Sequence, residues 1–123
     1  MSNEIDENLK IIMQAIKERK QIKFEYDNPK KPEEVGDRIG NPHCVFMSAN
    51  GDGVMKVAIV QTDGVGSIIL FPKAMIFDNI KNVELLDEEF EVADCYKSDA
   101  PSYVNKVLDV NEDDEEWVMI IKL

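Results

Sequence analysis

The chain has 123 residues, 44% of them hydrophobic and 32% charged, which describes one globular domain and excludes a disordered polymer. No apolar run approaches the ~18 residues that a membrane span needs, so no membrane partner is expected. Net charge is −11, but residues 1–83 carry 12 acids against 11 bases and residues 84–123 carry 13 against 3, so general attraction to nucleic acid is excluded while a local basic site in the near-neutral body is not.

The first residues are acidic, unlike the basic and then apolar start of a secretory leader, and this favours the cytoplasm. Cys44 and Cys95 lack CxxC spacing and read as two reduced thiols, as expected there. Ile5, Leu9, Ile12, Met13 and Ile16 recur at a 3.6-residue period with polar residues between them, so the spacing predicts an amphipathic helix over residues 4–19.

The period then changes to two. Ile22, Phe24 and Tyr26 alternate with Lys23 and Glu25, which predicts a half-buried strand. Residues 27–34 form a polar, proline-containing loop. A second strand is expected from Arg38 to Ser48, interrupted or edged by Pro42, whose nitrogen has no hydrogen for a ladder. Asn50-Gly51-Asp52-Gly53 is a hairpin signal.

Val54 to Thr62 is nearly continuous in apolar residues, the pattern of a strand covered on both faces. Asp63-Gly64-Val65-Gly66 predicts a second tight turn, Ser67 to Phe71 another strand, and Met75, Ile76 and Phe77 lead toward Ile80. From Asp87 the chain turns acidic. Asp99-Ala100-Pro101 reads as a helix start, followed by an apolar face of Tyr103, Val104, Val107 and Leu108. Trp117 to Ile121 reads as a possible closing strand that needs a surface on the body or on another subunit.

The fold class expected is α+β, mainly β: a leading helix and a small antiparallel barrel-like sheet over residues 1–96, with an acidic extension over 97–123 carrying a short helix and a possible last strand. Gln61 stands out, because it ends an apolar strand beside a turn. There a long amide faces solvent or reads the donors and acceptors of a ligand.

Catalysis has little support. His43 and Cys44 are strand neighbours, which point to opposite faces and so do not form a nucleophile and base. Three possible Cys or His ligands are too few and too scattered for zinc. The acidic clusters at 87–91 and 112–116 lack the spacing of a calcium loop. No metal, no cofactor and no enzymatic activity are expected.

The order Ala15-Ile16, Ile22-Lys23-Phe24-Glu25-Tyr26, Arg38, Pro42-His43, Val57 to Gly64, Ser67, Phe77-Asp78-Asn79-Ile80 and Phe90 resembles small stand-alone members of the WYL-domain family. The Trp-Tyr-Leu triplet itself is absent, and Asn79 stands where a basic residue is usual. The resemblance implies an Sm/SH3-like β-barrel behind a helix, in regulatory proteins of bacteria and phages thought to sense nucleotides or single-stranded nucleic acid. Carried onto this chain, it points to Arg38, His43, Gln61 and Ser67 as ligand contacts, with Tyr26 as a stacking surface. The alternative is a protein-interaction module that forms a homodimer or pairs with another chain through a barrel edge or the C-terminal strand.

Overall fold

The structure, a computed structural model, describes residues 3–27, 36–48, 51–65, 71–97, 103 and 105–110. Helix α1 (Asn3–Glu18) is followed by strands β1 (Lys20–Tyr26), β2 (Gly36–Met47), β3 (Met55–Gly64), β4 (Lys73–Ile76), β5 (Ile80–Glu89) and β6 (Asn105–Asp109). The strands form one antiparallel sheet in the order β4-β3-β2-β1-β5, with β6 also paired to β2.

Ile12, Met13, Ala15 and Ile16 of α1 are buried as their period requires. They pack with Ile22 and Phe24 of β1, Val45 of β2 and Val57 and Ile59 of β3 in one core, and each large aliphatic side chain so buried contributes about 1.5–3 kcal/mol. Arg19 ends the helix with a left-handed backbone (φ 56°), so β1 begins one residue later. Asn8 is buried as well, and its side-chain oxygen accepts from Val83 N–H at 3.4 Å, tying the helix to β5.

The two ends of the strand path, β4 and β5, are joined only by the 3-10 turn Phe77–Asn79, so the sheet must curl until its ends meet. Tyr26 and Asp27 stitch that closure. The Tyr26 hydroxyl accepts from Ile76 N–H at 3.1 Å, and Asp27 N–H donates to Asn79 O at 2.8 Å. An N-terminal helix behind a curled antiparallel sheet is the mainly-β α+β architecture read from the sequence.

Pro42 does not interrupt β2. It lies at a β-bulge, where Pro42 opposes Ile59, Cys44 opposes Ala58 and His43 is the extra residue. On the other edge of β2, β1 covers residues 36–40 and β6 covers 44–47. Pro42 thus falls in the gap between two partner strands, where a missing N–H is least felt.

The acidic stretch finds its place in the sheet, and one expectation, the helical face around Val107, needs correction. The acidic residues Asp87 to Glu89 belong to β5, with Glu89 opposite Lys20; their polar outer side hides the strand from a pattern reading. The stretch read as a helical face around Val107 is β6. Its apolar spacing fits a helix, but the edge of β2 left open by β1 needs hydrogen-bond partners, and pairing overrides local propensity. The expected helix start at 99–101, the strand at 67–70, most of the loop at 27–34 and the strand at 117–121 lie outside the described residues. Cys44 is buried and Cys95 exposed, and neither forms a disulfide. No helix among the described residues is long and apolar enough to cross a membrane.

Candidate functional site

Directly opposed residues of antiparallel strands share a face. Phe24 opposes Arg38, and Ile22, Gly40 and Gln61 lie in register across three strands. Arg38 and Gln61 therefore stand on the same face as Ile22 and Phe24, the face that carries the core. Arg38 is 4% exposed and Gln61 0%. A guanidinium in that position must be compensated by polar partners, because burying an unsatisfied charge is strongly unfavourable.

Gln61 supplies part of that compensation. Its Oε1 accepts from Arg38 Nη1 at 3.2 Å, while its Nε2 donates to Asp63 O at 3.2 Å and Val65 O at 2.8 Å. One amide thus fixes its own orientation through two carbonyls and presents its oxygen to the arginine. Tyr26 places its ring under the guanidinium, 5.1 Å from its carbon, within cation–π range.

Backbone irregularities shape this end of the sheet. Ile39 opposes Asp63 and Gly40 opposes Gln61, so Thr62 is an extra residue. Without that bulge Asp63 would share the face of Gln61 and Arg38; with it, Asp63 lies on the opposite face. Gly64 follows with φ 102°, and a Cβ there would stand 2.3 Å from Asp37 O and 2.6 Å from Arg38 Cα. Only glycine allows β2 and β3 to approach so closely beside Arg38.

His43 belongs to a different environment. It is five residues along β2 from Arg38, roughly 16 Å at strand rise, and its relative exposure is 0%. Ala93 N–H donates to Nε2 at 3.0 Å, which requires a lone pair there. Nδ1 therefore carries the proton and donates to Asn41 O at 2.9 Å. The ring is flanked by Phe90 and Tyr96, each with its centroid 5.1 Å away. Both nitrogens are engaged by backbone, so neither is offered to a ligand or to a cysteine thiol in this arrangement.

Of the five residues the resemblance nominates, the structure brings together Arg38, Gln61 and Tyr26. His43 lies elsewhere, and Ser67 is outside the described residues. Gln61 neither faces solvent nor presents a spare edge; it positions Arg38. The partners of His43 were hard to read in advance, because Ala93 contributes only backbone. Phe90 and Tyr96 left a faint signal as the aromatic residues of an otherwise acidic stretch.

No family model matches the chain, and no curated protein matches it. Among solved structures, its fold is shared by a chain described as Proteasome accessory factor B/C (PafBC) of Arthrobacter aurescens, with a TM-score of 0.58 and 17% identity. The likeness covers 87% of this chain and 15% of that one, so this chain corresponds to a small part of the larger protein. At that identity the likeness is one of fold alone.

Proposed function

We propose that this chain is a non-enzymatic regulatory domain acting in the cytoplasm, and that it binds an anionic ligand at the Arg38 end of its sheet. The ligand class is a nucleotide or a short single-stranded nucleic acid. The observation that carries the reading is Arg38 on the core-side face, held by Gln61 and backed by the Tyr26 ring. A guanidinium oriented in advance recognises phosphate at lower entropic cost than one on a free stem. Tyr26 offers the aromatic surface that stacks on a base, and Ser67 is a further candidate contact. With Arg38 4% exposed, the ligand reaches it end-on between β1, β2 and β3 rather than across an open face. The resemblance to WYL-domain regulatory proteins and the fold shared with a chain described as a proteasome accessory factor support the regulatory part of the reading.

Calorimetric titration with a panel of nucleotides and oligonucleotides at low salt tests the proposal. Binding should weaken as salt rises, and Arg38→Ala should abolish it. A folded protein that binds nothing in the panel, or binds equally well as Arg38→Ala, would sink the idea.

A second reading has one observation behind it. Phe71 is 54% exposed and Ile76 36%, and they bracket β4, the strand at one end of the path. We propose as the alternative that this edge pairs with a second copy of the chain. Strand pairing of that kind should be insensitive to salt, and Ile76→Lys should remove it from a sedimentation profile. A wild-type monomer at all concentrations excludes it.

A further inference from the structure

We infer that His43 is an acid-sensitive latch that holds the segment from Phe90 to Lys97 against β2. That segment leaves the sheet after β5. Phe90 N–H donates to Arg19 O at its start, and Val110 N–H donates to His43 O after β6. Between these two points, Ala93 N–H on His43 Nε2 ties the middle of the segment to the bulge of β2. The ring also serves as the surface on which Phe90 and Tyr96 pack. Tyr96 in turn touches Tyr103, and Tyr103 meets Phe46 edge-on. The latch therefore seals a continuous row of aromatic side chains.

The latch works only with a neutral imidazole. Proton uptake at Nε2 would turn the acceptor into a donor facing the Ala93 N–H donor, and would place a charge in a fully buried site. The closed form thus binds one proton fewer at this ring than the open form. Its stability is fully present above the titration of the opened ring, near 6.5 for an unperturbed imidazole, and declines as pH falls below it.

Among the described residues, the other titratable groups on the elements around the ring do not reproduce this behaviour. β2 contributes the buried Cys44 thiol, and the segment contributes the Tyr96 phenol, both neutral across the acidic range. Glu91, Asp94, Cys95 and Lys97 of the segment are exposed. Asp109 of β6 lies opposite Cys44 in register.

His43 is the single histidine of the chain, so its NMR signals are unambiguous. At neutral pH its ¹⁵N shifts should report the Nδ1–H tautomer. Amide exchange at Ala93, corrected for intrinsic rates, should lose about tenfold in protection between pH about 7.5 and about 5.5, the one-proton expectation, while Val57 in the core keeps its protection. His43→Gln, which has an uncharged acceptor, should lose that pH dependence. An Nε2–H tautomer, unchanged protection at Ala93, or the same decline in His43→Gln would overturn the latch. Should His43→Gln fail to fold, the wild-type tautomer and the Ala93-to-Val57 comparison decide the question alone.

Discussion

The two halves of β2 each bury a polar side chain, and they do so in opposite ways. Arg38 sits where β2 runs between β1 and β3, on the core-side face, and is positioned by other side chains: an amide and a phenol ring. His43 sits at the bulge, where β1 has left and β6 has not begun, and is held by backbone: the Asn41 carbonyl of its own strand and the Ala93 N–H of the segment after β5. Side chains can move to admit a ligand, whereas a ring clamped by a carbonyl and a peptide N–H yields only if the clamping chain moves. Burial alone therefore does not tell a binding residue from a structural one. The nature of the partners does.

That contrast can be broken most severely at Gly64. With a Cβ forced to within 2.3 Å of Asp37 O and a φ of 102°, Gly64→Ala should cost about 3 kcal/mol or more, since both strain and overlap act together. It should also disorder the Arg38 end before the His43 end. Urea denaturation gives the first quantity, and site-resolved amide exchange at Phe24 and Val45 gives the second. Equal loss at both ends would mean that β2 responds as one unit.

A paired truncation sharpens the comparison further. His43→Ala removes the acceptor of Ala93 and leaves a cavity among Phe90 and Tyr96, a loss of about 2–4 kcal/mol. Gln61→Ala strips a buried bond from Arg38 and two from carbonyls near the strand end, and should cost about 1–3 kcal/mol. If the two regions differ as described, Gln61→Ala should weaken anion binding even after correction for stability, and His43→Ala should leave it unchanged. Equal effects on binding would erase the distinction.

The smallest effect is expected for Tyr26→Phe. The ring stays beneath Arg38, but the bond to Ile76 N–H is lost, at a cost of about 0.5–1.5 kcal/mol. Stability should fall slightly with no change in ligand affinity. A large affinity loss would show that the hydroxyl, rather than the ring, contacts the ligand.

Patterned residues were legible and partner-dependent ones were not. The helical period from Leu9 to Ile16 and the alternation from Ile22 to Tyr26 each state which side of an element is apolar, so helix and strand follow from local chemistry. The run Val57 to Val60 announces a strand covered on both faces. The glycines Gly51, Gly53 and Gly64 mark turns because all three adopt positive φ. Gln61 was visible as an exception at the end of an apolar strand, whereas Arg38 and His43 became candidates through the family resemblance. Their fates were not visible, because each depends on which distant backbone lies opposite. The stretch around Val107 was misread for the same reason: the partner strand, and not its own composition, makes it β.

By itself, then, the sequence determined a leading amphipathic helix, a β-rich body whose charge nearly balances, and an acidic last third. These are properties of composition and period, and they survive any particular arrangement in space. The tertiary structure alone decided that Arg38 and Gln61 meet on one face and that Asp63 turns away from them. It also decided that His43 is closed off by the chain after β5. Bulges at Thr62 and His43 shift the side-chain alternation by one residue, and a one-residue shift moves a side chain from one face of a sheet to the other.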